Sequence, residues 1–178
     1  MEISLDELRE RAAKIRWFFC DIDGTLTDGC VYYSPEGELL KKFSLRDGTG
    51  FFLLKQVGIK TGFITTENSP IVEQRAKKLK IDKYIFGTHK KLEAMQEFVK
   101  QEGLTLDNIA FIGDELNDVK LLAASGIGIA VGDAAHRAKE GACMVCKNYG
   151  GSGAFREAVE RLLELKDVNI DRIIEMAL

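Results

Sequence analysis

Short apolar runs alternate along this chain with longer amphipathic ones. Trp17-Phe18-Phe19-Cys20 is the first such run, and residues 60–65, 84–86, 108–112, 127–131 and 143–145 repeat it. Each is long enough for a strand and too short for a helix. Between them the spacing predicts helices over about 50–57, 69–79, 90–101, 116–124, 134–139 and 152–165, with another behind Asn169. An opening helix follows Ser4, whose hydroxyl is placed to cap it while Glu7 returns the contact and Ile3 staples onto Leu8. Pro70 suits a first helical turn, and Thr88 and Ser152 are candidate caps for the helices that follow them.

Strands that alternate with helices predict an α/β fold: a Rossmann-like, mostly parallel sheet covered by helices on both faces. One segment breaks the alternation. Residues 30–45 read as a β-hairpin with its turn at Pro35-Glu36-Gly37, inserted after the first strand. No internal repeat or linker divides the chain, so residues 1–178 are expected to form one domain with the 30–45 hairpin as a lid or assembly element.

Composition narrows the partners. With 25 basic and 28 acidic residues the net charge is -3, which gives no bulk attraction to nucleic acid or to an anionic membrane. The segment MEISLDELRERAAKI has no continuous apolar stretch, and no run of about 18 apolar residues occurs, so a cytoplasmic protein is expected. The four cysteines are too few and too unevenly spaced for a disulfide scaffold, and Cys143-Met-Val-Cys146 is a lone pair read as packing. His89 and His136 stand apart from any other ligand and read as surface or cap residues, while Gly126, Gly128 and Gly132 span a strand and form no dinucleotide turn.

Chemistry gathers where strands end. Asp21 and Asp23 follow the first strand, Thr65 the second, Lys91 opens the helix after the third, and Asp114 and Asp118 follow the fourth. Parallel α/β sheets bind ligands beyond the carboxyl ends of their strands, so these residues are candidates for one pocket. One carboxylate of the first pair can hold a hard cation and attack phosphorus, and the other can move the proton of a leaving oxygen. Asp114 brings another oxygen to Mg²⁺, Asp118 lies one helical turn on, Thr65 offers a hydroxyl and Lys91 a positive charge. Taken singly, each of these residues also suits a cap or a solvated position.

The stretches DIDGTLTDG, Thr65, Lys91 and GDELND at 113–118 resemble the four motifs of the haloacid dehalogenase superfamily of phosphotransferases. The resemblance implies that Asp21 is the nucleophile and forms an aspartyl phosphate, and that Asp23 is the acid and base. It implies Mg²⁺ held by Asp21, the backbone carbonyl of Asp23 and Asp114, with Thr65 and Lys91 on the phosphoryl oxygens. Asp118 then supports the metal ligands. Glu115 stands where these enzymes commonly carry aspartate, and its extra methylene shifts a carboxylate by roughly 1–1.5 Å, so it is assigned beside Asp118 and not to the metal.

The short chain, the hairpin, FSLRDGTG at 43–50 and GGSGAFRE at 150–157 resemble the cap-less branch that dephosphorylates eight- or nine-carbon 2-keto-3-deoxy sugar acids. That implies a small phosphorylated sugar acid as partner, 3-deoxy-D-manno-octulosonate 8-phosphate first, with 2-keto-3-deoxynononate 9-phosphate and acylneuraminate 9-phosphate as alternatives. It also implies a homotetramer in which hairpins pack together through Tyr32, Tyr33, Leu39, Leu40 and Phe43. Packing of the hairpin back onto its own domain is the other reading. Arg46-Asp47-Gly48 resembles the octulosonate enzymes, whereas Glu67, Arg75 and Lys78 match a set that recognises the nononate. Arg156 is a further candidate anion contact; Arg75 and Lys78, read alone, also suit a solvated helix face. Two other functions remain: a phosphoacceptor signalling domain, in which the aspartyl phosphate persists, and a non-catalytic auxiliary subunit.

Overall fold

The structure, a computed structural model, describes residues 3–177. The strands are β1 (Trp17–Cys20), β2 (Thr27–Ser34), β3 (Gly37–Phe43), β4 (Lys60–Ile64), β5 (Lys83–Ile85), β6 (Ile109–Gly113), β7 (Ile127–Ala130) and β8 (Met144–Val145). The helices are α1 (Leu5–Lys14), α2 (Leu45–Gln56), α3 (Pro70–Leu79), α4 (Lys91–Gln101), α5 (Val119–Ala124), α6 (His136–Gly141), α7 (Ala154–Leu165) and α8 (Ile170–Ala177).

Six strands form one sheet in the order β5-β4-β1-β6-β7-β8, and every pairing within it is parallel. β1, β6 and β7 are buried along their whole length, which is why they lack the alternation of a half-exposed strand. The strand order reverses at β1, so the crevice between the carboxyl ends of β1 and β6 is the switch point where such sheets take ligands. β2 and β3 pair antiparallel as a separate two-stranded hairpin after β1, as the sequence predicts.

Aromatic rings weld α2 and α7 to the sheet: Phe51 stacks on Phe155 at 4.1 Å between centroids, and Phe155 meets Phe18 edge-on at 5.2 Å. Each such pair contributes about 0.5–1.5 kcal/mol beyond its buried area. This packing explains why α2 begins at Leu45 and not near residue 50. Gly48 and Gly50 look like a turn, but Gly50 faces α7, where a Cβ would lie 2.9 Å from Phe155 Cε1. The glycine permits the close approach of two helices, and Ser44 caps the helix by accepting the Asp47 N–H at 3.4 Å.

Ser4 accepts the Glu7 N–H at 3.2 Å and Asn169 accepts that of Arg172 at 3.2 Å, so these two predicted caps form. Ser152 does not cap α7. Its N-terminal residue is Gly153, in the left-handed region, and the orphan N–H groups of Gly153 and Arg156 donate to Asp47 at 3.2 and 3.0 Å. Thr88 bonds the Lys90 N–H at 3.2 Å, but α4 starts one residue later. The cysteines are free; Cys143 and Cys146 donate to the carbonyls of Gly128 and Ala154, and burial pushes the Cys146 thiol up to about 12. His89 and His136 are exposed.

Candidate active site

β1 delivers Asp21 and β6 delivers Asp114 because the two strands pair in register, Cys20 beside Ile112. The Asp21 N–H continues the ladder by donating to the Ile112 carbonyl at 3.0 Å. One carboxylate oxygen from each of Asp21, Asp114 and Asp118 fits within a 4.8 Å spread. Such a cluster is costly without positive charge. Lys91, whose side chain is 0% exposed, supplies some: its Nζ lies 2.8 Å from Asp21 Oδ1 and 2.6 Å from Asp118 Oδ1.

Burial raises the Asp21 carboxyl well above the usual range; Asp118 adds to this and Lys91 opposes it. Burial also raises Asp114, to about 6, against the Thr25 hydroxyl that donates to its Oδ1 at 2.8 Å. Burial alone would depress the Lys91 ammonium, but Asp21 and Asp118 outweigh it and hold its pKa above the ordinary value. One ammonium among three clustered carboxylates, two of them buried, leaves negative charge uncompensated, which is the electrostatic condition for binding a divalent cation.

Asp118 has both oxygens committed. Oδ1 faces Lys91, while Oδ2 accepts the N–H groups of Asp114 and Glu115 at 3.0 and 3.2 Å. These bonds hold residues 114–118 as a loop, so α5 begins at Val119 and not at 116 as its periodicity suggests. Glu115 is exposed and its Oε1 accepts the Leu116 N–H at 2.7 Å, apart from the acid cluster. Gly24, at φ +87°, lies against Asp114; a Cβ there would collide with the Asp114 carboxylate. Asp114 therefore occupies space that only glycine leaves open, and the three carboxylates with this cradle fit a hard cation such as Mg²⁺.

Asp23 is not one of the three clustered acids. Its Oδ1 pairs with Lys41 of β3 at 2.5 Å. Thr65 follows β4, the strand beside β1; it is buried and its hydroxyl accepts the Glu67 N–H at 3.3 Å. Of the sugar-side candidates, Arg75 and Lys78 line a cavity whose walls include none of the acids. Arg75 donates to the Ser44 carbonyl at 3.1 Å and lies 5.2 Å from the Phe43 ring centroid. With Lys78 it lines a cavity of about 360 Å³ whose other walls are Leu45, Gly48, Thr49, Phe52 and Leu79. Glu67 and Arg46 are exposed, and Arg156 pairs with Glu160 at 2.6 Å. Lys41 escaped the sequence reading. Thr25 and Asp47 stand within the motifs DIDGTLTDG and Arg46-Asp47-Gly48, but the bond of Thr25 to Asp114 and the bonds of Asp47 to the start of α7 carried no signal there.

Residues 84–156 match the family model for haloacid dehalogenase-like hydrolases. The 3-deoxy-D-manno-octulosonate 8-phosphate phosphatase of Haemophilus influenzae is 34% identical over 157 residues, covering 88% of this chain and 87% of that protein. The chain belongs to the haloacid dehalogenase-like hydrolases, in the branch of the octulosonate 8-phosphate phosphatases. The Yersinia pestis phosphatase of the same name is 36% identical over 162 residues, covering 91% of this chain and 87% of that one. Among solved structures of this branch, the Moraxella catarrhalis phosphatase in complex with magnesium, phosphate and KDO superposes with a TM-score of 0.92 at 35% identity, covering 98% of this chain and 100% of that one. The cobalt-bound Haemophilus influenzae phosphatase gives 0.84 at 34% identity, over 88% and 92% of the two chains. Among the described residues, no helix of this haloacid dehalogenase-like hydrolase is long and apolar enough to cross a membrane.

Proposed function

We propose that the protein is a Mg²⁺-dependent phosphatase that hydrolyses 3-deoxy-D-manno-octulosonate 8-phosphate through an aspartyl phosphate on Asp21. The observation that carries this reading is the buried cluster of Asp21, Asp114 and Asp118 around Lys91 at the switch point of the sheet. In the first step an Asp21 oxygen bonds to phosphorus while the bond to the sugar oxygen breaks, and Asp23 gives that oxygen a proton. In the second step Asp23 takes a proton from water, whose oxygen attacks phosphorus and frees Asp21 and phosphate.

Lys91 and the Thr65 hydroxyl hold the phosphoryl oxygens, and Lys91 exchanges part of its contact with Asp21 for them as that carboxylate is consumed. Asp118 keeps Lys91 and the 114–115 backbone in place. The ligands assigned to Mg²⁺ are Asp21, the Asp23 backbone carbonyl and Asp114, and Glu115 lies outside them. When bound, the ion offsets repulsion between these acids and the phosphate and polarises the phosphoryl group.

The sugar-side set is Arg46, Glu67, Arg75, Lys78 and Arg156, in a pocket completed by a neighbouring chain of a cytoplasmic homotetramer. Support comes from the hairpin, where Tyr32, Tyr33, Leu39 and Leu40 are each more than half exposed, whereas Phe43 packs against the core of its own chain. It comes also from Arg75 and Lys78, which line a cavity whose walls include none of the acids.

The test compares kcat/KM with Mg²⁺ for octulosonate 8-phosphate, nononate 9-phosphate, an acylneuraminate 9-phosphate and simple sugar phosphates. The octulosonate ester is expected to lead, and Asp21→Asn is expected to abolish turnover. Weak, equal turnover of all esters would sink the sugar-acid assignment; unimpaired hydrolysis by Asp21→Asn would sink the aspartyl phosphate.

A further inference from the structure

Adjacent lysines on β3 have opposite fates. The Lys42 side chain is 61% exposed and pairs with Asp28, whereas that of Lys41 is 2% exposed and points inward to Asp23. A buried ammonium persists only where acceptors surround it. Glu38 stands 3.6 Å away on the other side, and its Oε1 accepts the Ser69 hydroxyl at 3.1 Å. Ser69 is the N-terminal cap residue of α3 but makes no side-chain bond to its own helix; its hydroxyl donates to Glu38. The loop after β1, the hairpin and the start of α3 therefore meet through one chain of polar contacts, from Asp23 through Lys41 and Glu38 to Ser69.

We propose that Lys41 is a positioning residue for proton transfer to the leaving group, so that the hairpin takes part in the chemistry as well as in access. Its Nζ donates to Asp23 Oδ1, and among the described residues Oδ2 has no hydrogen-bond partner. Lys41 thus occupies Oδ1 and leaves Oδ2 as the oxygen open to the substrate. Lys41 in this way selects the oxygen presented to the substrate and locks the side-chain rotamer. As the Asp21–phosphorus bond forms and the phosphorus–sugar oxygen bond breaks, the Oδ2 proton passes to the sugar oxygen. A neutral alcohol departs, and the carboxylate left behind is paired with Lys41. The inference rests on the phosphatase reading above.

Leaving groups separate this role from a structural one. A sugar alkoxide needs the proton, whereas p-nitrophenolate leaves without it, and kcat/KM reports the step in which it departs. Lys41→Met is expected to lower kcat/KM for the sugar phosphate by about 10²-fold and for p-nitrophenyl phosphate by no more than about threefold. In an Asp23→Asn background the same substitution is expected to add less than about threefold on the sugar phosphate, because the two residues act as one unit. If Lys41→Met does not fold, Lys41→Gln, which keeps an N–H donor, is expected to show the same preference in weaker form. Equal losses on both esters, or an undiminished loss in the Asp23→Asn background, would overturn the proposal while leaving the phosphatase reading intact. Absence of turnover by the unmodified protein would remove both.

Discussion

Lys91→Met tests the electrostatics of the acid cluster directly, because it deletes the ammonium within 2.8 Å of Asp21 and 2.6 Å of Asp118 while keeping a side chain of similar length. Breaking a buried ion pair by removing one partner costs about 3–5 kcal/mol when the other charge stays ionised. Protonation caps that cost. Burial already pushes the Asp114 carboxyl up to about 6 with Lys91 present, so neutralising that carboxylate at pH 7.5 costs about 2 kcal/mol, at 1.4 kcal/mol per pH unit. The expected destabilisation of the metal-free protein at pH 7.5 is therefore about 2–3 kcal/mol. The sign with pH follows from the direction of the shifts. Asp21 and Asp114 have folded-state pKa values raised above the unfolded ones, so the stability they contribute is complete below the usual carboxylate range and is lost as pH rises through the folded values, about 6 for Asp114. At pH 5 the cost of Lys91→Met should accordingly shrink to about 1 kcal/mol. Urea unfolding followed by circular dichroism, in EDTA at both pH values and again with Mg²⁺, reads all of this. Mg²⁺ at a hundred times its dissociation constant should restore about 2.7 kcal/mol. A loss below about 1 kcal/mol at pH 7.5, or an equal loss at pH 5, would refute the view that Lys91 offsets the charge of these acids.

Gly24→Ala should cost about 1–2 kcal/mol from its left-handed backbone alone, and its Cβ should displace Asp114. The Mg²⁺ concentration for half-maximal activity should then rise about tenfold or more, measured by metal titration of the rate; an unchanged requirement would remove Asp114 from the ligand set. Asp47→Ala strips the acceptor from two N–H groups at the start of α7 and should lower stability by about 2–4 kcal/mol in urea unfolding. A loss under about 0.5 kcal/mol would mean that water satisfies those groups as well as the carboxylate does.

The sheet was legible because its strands announce themselves locally. β1, β6 and β7 are buried on both faces and read as unbroken apolar runs, and the acids that end two of them coincide with the switch point that the alternation predicts. Residues placed at strand ends were therefore legible as one cluster, as the contacts among Asp21, Asp114, Asp118 and Lys91 show. Helix starts were read less well, because they are set by partners distant in sequence. Gly48 and Gly50 carry the local signature of a turn, yet the close contact of Gly50 with Phe155 makes that stretch the first half of α2. Residues 116–118 carry helical periodicity, yet the Asp118 carboxylate draws the N–H groups of Asp114 and Glu115 into a loop.

Lys41 and Asp47 show what a single sequence withholds. Each is a charged residue in a stretch that looks solvated, and each becomes buried only because the tertiary fold brings it a partner of opposite polarity: Asp23, 18 residues away, for Lys41 and the α7 N-terminus, 106 residues away, for Asp47. Burying an ion without such a partner costs several kcal/mol, so the fold must supply both members together. Nothing in the sequence marks Lys41, and the motif around Asp47 says nothing of the helix end it caps. The acids assigned to the chemistry are detectable because they break an apolar pattern, whereas Lys41 and Asp47 sit in polar surroundings and break nothing. The hairpin illustrates the consequence. Its apolar face suggested an assembly element, and its inward-facing lysine, invisible in the pattern, ties that element to Asp23, the proposed proton-transfer group.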